Sequence, residues 1–402
     1  MSKSLEIREM IFAFMPKVVS SLDCVSELDQ ASYSVLEGFL QGNKSLKSRD
    51  SIVIIQGVID YMYENINIGN WKNVRLFLRQ TITIATYLKL IALLDNYSEL
   101  TDTAIKDLLE TIDFGIMFGS LIHNEPQLLQ KCASILNPFI LQNDIFIENG
   151  NLNSKESISC TVIPEGVINI DLIKCPSMER FYTDYIMQEK PVILEECMTH
   201  WPALSKWTDS NYFIKLAGLR TISIEIGKEY TDSEWTQKLI TMKEFIETYI
   251  YQNKGATGYL AQYPLFAQIP ELHEDIIEPE YCSFAETDDG VNIMAWYGPK
   301  GTVSPLHHDP TKNLLAQVVG EKRIYLFSPK DSENLYPYDS ELLDNTARVD
   351  PRSPDLNKYP KYQDAKAYYC VLKPGQMLFI PPKWWHFVES LSISFSVSFW
   401  WT

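Results

Sequence analysis

Proline divides this 402-residue chain into two parts of different character. Residues 1–150 contain only three of the 21 prolines and one of the nine tryptophans. Inside a helix, proline removes a backbone donor and clashes with the preceding turn, so a long proline-poor stretch favours helices. The sequence therefore predicts a helical first part, followed by a second part with different secondary structure.

Apolar residues in the first part recur at helical spacing. One apolar stripe runs from Trp71 to Ala92 at intervals of three and four residues. Thr101 or Asp102 can cap a further helix. We predict about six or seven helices in antiparallel pairs, as a bundle or short solenoid, over residues 1–142.

The second part has the pattern of short strands. Residues 143–165 are predicted to be a linker, because asparagine, glycine and serine interrupt any period there. Within residues 166–402, strands are predicted on either side of Gly320-Glu321, which has the form of a hairpin turn. The span 331–366 is predicted to be a long connection. The fold class is therefore α+β multidomain: a helical domain, then a double-stranded β-helix, or jelly roll, of cupin type.

Charge and cysteine content exclude several classes of protein. The net charge is −17 and no run of basic residues is present, so direct binding to nucleic acid is not expected. Seven scattered cysteines without a CxxC predict a reduced, intracellular protein. The sequence shows no signal peptide and no uninterrupted apolar run long enough to span a membrane. We expect a location in the nucleus, the cytoplasm or both.

Two of the six histidines stand where a metal site can form. In the extended sequence His307-His308-Asp309, side chains alternate, so His307 and Asp309 project to one face and His308 to the other. His386 begins a later strand that can lie beside the first. Two imidazoles and one carboxylate form the facial triad of non-haem Fe(II) oxygenases. Spacing alone leaves open that His386 is simply a packed core histidine.

The surrounding sequence resembles the Jumonji-C family of 2-oxoglutarate oxygenases. The resemblance is carried by Gly298–Pro310, by Phe379–His386 and by the ending Ser396–Trp401, and it extends over about residues 170–402. It implies that Fe(II) is held by His307, Asp309 and His386, and that O₂ and 2-oxoglutarate are co-substrates.

The resemblance also implies roles for other residues. Lys322 is expected to pair with the distal carboxylate of 2-oxoglutarate, because a lysine on a rigid strand is a suitable point charge. Further hydrogen bonds to the same co-substrate are expected from Tyr259, Ser304 and Asn313. A substrate pocket is expected from four residues: Glu225, Trp235, Gln262 and Trp296.

The expected substrate is a basic side chain of a protein, including a histone. Glu225 can accept two parallel hydrogen bonds from a guanidinium, and an indole can stack on it. The segment after His386 lacks the glycine and asparagine typical of chromatin demethylases in this family, and no zinc finger is present. Arginine hydroxylation is therefore the first prediction, and methyl-lysine demethylation is the alternative.

Two other interpretations remain open from the sequence. The second part is either an enzyme or a Jumonji fold that binds without turnover, although the complete triad argues against lost activity. A cupin with another metal and another small acid is a third possibility. The helical part is expected to bind a partner, to self-associate or to serve as a structural extension.

Overall fold

The computed structural model of the chain describes residues 3–70, 73–139, 150, 152, 164–252, 255–287, 290–340 and 343–402. The helical residues up to 139 form one compact unit together with Lys215–Ile222. The remaining described residues form a second, β-rich unit. The predicted fold class is confirmed, with a helical region followed by two sheets. The predicted linker, 143–165, lies mostly outside the described residues, and the predicted domain boundaries stay a prediction.

The helical unit is built from helices whose apolar faces pack into one core. The helices are α1 (Lys3–Phe12), α2 (Met15–Val19), α3 (Gln30–Leu40), α4 (Arg49–Ile66), α5 (Leu76–Asn96), α6 (Asp102–Phe118) and α7 (Leu128–Leu136), with a 3₁₀ turn at Leu22–Val25.

Side-chain caps explain where several of these helices begin. The hydroxyl of Thr101 accepts a hydrogen bond from the backbone N–H of Ala104 at the start of α6, as the sequence predicts. Asp29 accepts from the backbone N–H groups of Ala31 and Ser32 at the start of α3. Such caps satisfy donors that the first helical turn leaves unpaired. Trp71, where the sequence stripe begins, lies outside the described residues.

Helix α5 is the one described helix that is long and apolar enough, by length and composition alone, to cross a membrane. The sequence interpretation did not foresee it, because polar residues interrupt the apolar run. Most of its most apolar window, 61%, is buried within the protein. The finding is weak evidence for a membrane, since a buried core helix passes the same test.

The β-rich unit contains two sheets. Its strands are β1 (Ile168–Asn169), β2 (Asp171–Lys174), β3 (Val192–Glu195), β4 (Thr221–Ile226), β5 (Thr236–Thr241), β6 (Gly258–Tyr263), β7 (Asn292–Gly298), β8 (Val303–His308), β9 (Lys312–Val319), β10 (Lys322–Phe327), β11 (Tyr368–Leu372), β12 (Gln376–Ile380), β13 (Trp385–Ser390) and β14 (Ser394–Trp401). One sheet has the order β1-β11-β10-β13-β8, and the other has the order β2-β3-β12-β9-β14-β7-β6-β4-β5.

Short helices fill the connections between these strands. They are α8 (Met178–Phe181), α9 (Ala203–Lys206), α10 (Ser210–Ala217), α11 (Met242–Phe245), α12 (Leu265–Gln268), α13 (Pro270–His273) and α14 (Ser332–Leu335). The span 331–366 contains no strand among its described residues, which agrees with its prediction as a connection.

The predicted hairpin at Gly320-Glu321 is wrong. Strands β9 and β10 begin and end close to the predicted bounds, but they belong to different sheets. The turn therefore carries the chain from one sheet to the other. Gly320 has a φ of +71°, and a Cβ there would lie 1.9 Å from the carbonyl oxygen of Ile393. This close approach, as well as the turn conformation, requires glycine.

The burial of β14 also differs from what its sequence pattern predicts. The alternation of serine with large apolar residues predicts one buried face, yet both faces are buried. Ser396 donates to the side-chain oxygen of Gln317 at 2.7 Å, and Ser398 accepts from the Trp296 indole at 2.9 Å. The serines face the inside of the jelly roll, where their polar groups find partners and their small size leaves space for a cavity.

Candidate active site

Strand pairing brings the three predicted metal ligands together. Strands β8 and β13 are antiparallel neighbours, and His307 stands directly opposite His386. Asp309 follows the end of β8. The prediction that the strand of His386 lies beside the strand of His307 is therefore confirmed. The nitrogen or oxygen atoms that the three side chains offer lie within 4.8 Å of one another.

Hydrogen bonds orient both imidazoles toward this centre. Nδ1 of His307 lies 2.7 Å from the carbonyl oxygen of Pro305, and Nδ1 of His386 lies 3.0 Å from that of Trp384. A carbonyl can only accept, so each Nδ1 carries the proton. The lone pair is then on Nε2, which is the tautomer that a metal ligand requires.

The carboxylate is fixed from the opposite side. The indole of Trp400 donates to Oδ2 of Asp309 at 3.1 Å, and Nε2 of His386 lies 3.7 Å from the same oxygen. Burial raises the pKa of Asp309, but the two imidazoles and this indole outweigh it, so the net pKa is lowered. Asp309 is therefore ionised at neutral pH, and its orientation is set before any ligand binds.

Burial keeps His386 neutral. The pKa of His386 is lowered to about 4, first by burial and then by the neighbouring His307. His308 points away from the centre and meets the Trp385 ring edge-on at 4.6 Å. Two imidazoles and one carboxylate form a donor set that fits a divalent metal ion with open positions for other ligands.

Lys322 lies behind the metal ligands on β10, in the interior between the two sheets. It is 2% exposed, and its ammonium donates to the hydroxyls of Tyr259 and Ser390 at 3.1 and 3.0 Å. Among the described residues, no carboxylate pairs with it. Burial alone lowers the pKa of Lys322 to about 7. An ammonium in this position lacks the anion that would compensate its burial.

An inner cavity lies beside Lys322. All four predicted co-substrate residues line it together with the three metal ligands: Tyr259, Ser304, Asn313 and Lys322. The side-chain oxygen of Asn313 is buried without a hydrogen-bond partner among the described residues. Buried polar groups without partners are rare in folded proteins. A dicarboxylate reaching from the metal ligands to Lys322 supplies the anion that the buried ammonium lacks, and the side-chain amide N–H groups of Asn313 can donate to it.

The pKa of Lys322 gives this site a defined pH dependence. In the free protein Lys322 loses its proton near pH 7, whereas a bound carboxylate holds the proton on the amine. We expect the affinity for 2-oxoglutarate to be constant below about pH 7 and to fall by up to about tenfold per pH unit above it. Calorimetric titration of the metal-loaded protein without oxygen measures this profile.

The matched control is Ser304→Ala, which should weaken binding and keep the same dependence on pH. A flat profile between about pH 6 and pH 9 in the unmodified protein contradicts the assignment of Lys322.

An outer pocket adjoins the inner cavity. It shares His307 and Asp309 with the inner cavity and is lined by three of the predicted substrate residues, Glu225, Gln262 and Trp296. Trp235 does not line it. The Trp235 indole instead lies next to Glu225, where burial raises the pKa of the carboxyl and the indole lowers it. We therefore regard Trp235 as a support for Glu225, not as a wall of the pocket.

Glu225 is the acidic residue lining this pocket that does not belong to the predicted metal ligands. It lies on β4 opposite Tyr259 of β6. Burial raises its pKa, and the neighbouring indole of Trp235 opposes part of this effect. A half-buried carboxylate with few donors around it attracts a cation that brings its own donors.

The sequence did not single out several residues that shape the site. Tyr230, Asn345 and Thr346 line the outer pocket, and the Tyr230 hydroxyl lies 3.2 Å from that of Thr346. Residues 345 to 347 bond to the open edge of β8, with the Ala347 N–H donating to the Leu306 carbonyl at 2.7 Å. The long connection is thus part of the pocket wall, which composition alone could not indicate.

Comparison with known proteins agrees with this geometry. A family model described as a cupin-like domain matches residues 178–402. "Lysine-specific demethylase 8" from Danio rerio is 40% identical over 98% of both chains. "Jumonji C domain-containing protein 5" from Drosophila melanogaster is 40% identical over 87% of this chain and 86% of its own. The same-named demethylase from Xenopus tropicalis is 37% identical over 86% of this chain and 87% of its own.

The chain belongs to the cupin-like Jumonji-C family of 2-oxoglutarate oxygenases. Its similarity to the two demethylases and to the Drosophila protein includes the helical region, because the matches cover far more than the β-rich unit.

Proposed function

We propose that this oxygenase oxidises a cationic side chain of a protein substrate. In this proposal His307, Asp309 and His386 hold Fe(II), and the inner cavity around Lys322 holds 2-oxoglutarate. The substrate side chain enters the outer pocket. The observation that carries the proposal is Glu225, a half-buried carboxylate in the same pocket as two of the metal ligands.

Fe(II) with 2-oxoglutarate and O₂ supplies the oxidation of a C–H bond, and leaves succinate and carbon dioxide. The chain's own residues position the reactants. Hydrogen bonds from the two imidazoles to backbone carbonyls and from Trp400 to Asp309 hold the ligand geometry. Trp296 and Tyr259, with ring centroids 6.0 Å apart, line both cavities and restrict water. Glu225 draws the cation to a fixed depth, which brings one carbon near the metal.

The names of the relatives favour methyl-lysine demethylation, the alternative that the sequence interpretation placed second. Two of the three relatives named above are lysine-specific demethylases. In that reaction a methyl group on nitrogen is hydroxylated, and the product releases formaldehyde. A histone or another protein with methylated lysine is then the substrate. The acidic chain, with a net charge of −17, suits such a basic partner.

Arginine hydroxylation is the second candidate, and Glu225 specifically favours it. A guanidinium presents parallel N–H donors that match one carboxylate, whereas a fully methylated ammonium presents none. Tyr230 and Trp296 can pack against the planar group. For either reaction we propose a location in the nucleus, the cytoplasm or both.

One experiment separates the two reactions. Methyl-lysine peptides and arginine peptides are incubated with the protein, Fe(II), ascorbate and 2-oxoglutarate. The change in mass of each peptide is then measured by mass spectrometry. Loss of a methyl group with formaldehyde release identifies a demethylase. Gain of one oxygen on arginine identifies a hydroxylase. If 2-oxoglutarate is consumed and neither basic residue changes, the proposal of a cationic substrate is wrong.

Neutralising Glu225 should lower substrate oxidation more than 2-oxoglutarate binding. In Glu225→Gln the charge-assisted hydrogen bonds are lost, at about 1.5–3 kcal/mol, so kcat/KM for the peptide should fall roughly tenfold to a hundredfold. The control is Glu234→Gln, an exposed acid nearby whose loss should change little. Equal effects of the two substitutions contradict a role for Glu225 in the pocket.

A further inference from the structure

The helical unit contains a second group of metal-ligating side chains. Asp23, Cys24 and His123 offer one oxygen, one sulfur and one nitrogen, and these atoms lie within 4.8 Å of one another. The Cys24 sulfur is 2.7 Å from Nδ1 of His123, and Nε2 of the same ring is 3.6 Å from Oδ1 of Asp23. Cys24 and His123 are 99 residues apart, so no spacing motif in the sequence reveals the group.

Buried neighbours hold the backbone on both sides of this group. Leu22 and Val25 flank Asp23 and Cys24 and lie in the helical core, with exposures of 9% and 0%. Ile122, next to His123, is fully buried in the same core. Asp23 and His123 therefore project outward, and Cys24 lies half-buried against the core, all from segments that packing has already fixed. A site built on fixed backbone loses little conformational entropy when it binds an ion.

Polar contacts join the two segments directly. The side-chain amide of Asn124 donates to the backbone and side-chain oxygens of Ser20, at 2.8 and 2.9 Å. Glu125, which is buried, accepts hydrogen bonds from Lys17 and Lys131. The approach of Cys24 to His123 is thus maintained by contacts that do not involve either side chain.

We infer that Asp23, Cys24 and His123 form a zinc site that is independent of the oxygenase reaction. A thiolate, an imidazole and a carboxylate are the three ligand types of Zn²⁺, whereas calcium and magnesium take oxygen ligands. The side chains of Asp23 and His123 are 71% and 53% exposed, so an ion can reach them from water. Three protein ligands leave the fourth tetrahedral position to a water molecule.

The distance between Cys24 and His123 is compatible with a metal bound through one nitrogen of the ring after a small adjustment. Zn–S and Zn–N bonds of about 2.3 and 2.0–2.1 Å at a tetrahedral angle place sulfur and nitrogen about 3.5 Å apart. The Cys24 sulfur and His123 nitrogen would separate by somewhat less than about 1 Å, which exposed side chains can do by rotation. On binding, the thiol proton passes to the buffer and sulfur forms its bond to the metal.

Cobalt(II) titration of the full chain tests the site. A thiolate bound to cobalt gives an intense near-ultraviolet charge-transfer absorption, and the His307, Asp309 and His386 group contains no sulfur. We expect this absorption in the unmodified protein, its removal by added Zn²⁺, and its loss in Cys24→Ser. His123→Gln should weaken binding about tenfold or more, because even second-sphere changes have effects of that size.

Cys197→Ser is the matched control. Cys197 contacts Cys175 at the ends of β2 and β3, and these two neighbouring thiols are another possible sulfur site for cobalt among the described residues. The absorption should persist in this variant. If it persists in Cys24→Ser or disappears in Cys197→Ser, the inference is overturned. Metal-free thermal unfolding should be the same for Cys24→Ser and the unmodified chain, which excludes misfolding as the cause of lost binding.

Discussion

Alanine at His307 or at Asp309 is expected to reduce iron-dependent conversion of 2-oxoglutarate to the background rate. Each substitution leaves two of three protein ligands. Removing Asp309 also takes away the negative charge that faces His386 at 3.7 Å. A ligand on such a centre cannot be replaced by water without changing its charge or geometry. Succinate formation in the presence of Fe(II) and O₂ measures the loss of activity. The metal content of the purified variants shows whether this loss is caused by weaker binding of iron.

His308→Ala is the control for this experiment. His308 is adjacent to both ligands in sequence, but it projects to the other face and contacts Trp385. We expect it to retain iron and most of the turnover. Full activity in either ligand variant, or equal loss in all three proteins, is incompatible with the proposed metal site.

The triad could be predicted because it depends on local geometry. An H-x-D sequence in an extended strand places two side chains on one face, whatever the rest of the sheet does. The position of His386 required a second condition, that β13 pairs with β8, and the two-residue periodicity of strands made this possible without proving it. The structure supplies the register, with His307 opposite His386.

Sheet membership could not be predicted in the same way. Gly320-Glu321 between two apolar runs favours a hairpin on turn chemistry alone. In the structure β9 instead pairs with β12 and β14, and β10 pairs with β11 and β13. All four partners are far away in sequence. Contacts of that kind depend on the whole core, and a turn residue reports only its own backbone conformation.

The residues of the outer pocket could be predicted only in part from the sequence. Glu225, Gln262 and Trp296 line the outer pocket, but Trp235 does not. Asn345 and Thr346 come from a connection without periodicity, and they reach the pocket because backbone hydrogen bonds hold that segment to β8. A polar loop residue has no pattern that separates a pocket wall from a solvated surface.

Lys322→Met is expected to separate co-substrate binding from stability. Removing one partner of a buried ion pair costs about 3–5 kcal/mol, so the affinity for 2-oxoglutarate should fall about a hundredfold or more. The same change removes a buried ammonium that has no carboxylate partner among the described residues. We therefore expect the ligand-free variant to be at least as stable as the unmodified protein, as measured by denaturant unfolding.

The pH dependence of the stability gain shows whether it comes from removal of the buried ammonium. Burial lowers the pKa of Lys322 in the folded chain to about 7, from an ordinary value of 10.5. The protonated form is therefore disfavoured by folding, fully below pH 7 and progressively less as pH rises toward 10.5. The stability gained in Lys322→Met should be largest near pH 6 and should fade toward pH 10. A gain that is constant with pH would point to better packing of methionine, and a loss of stability would mean that Lys322 supports the fold and not an anion.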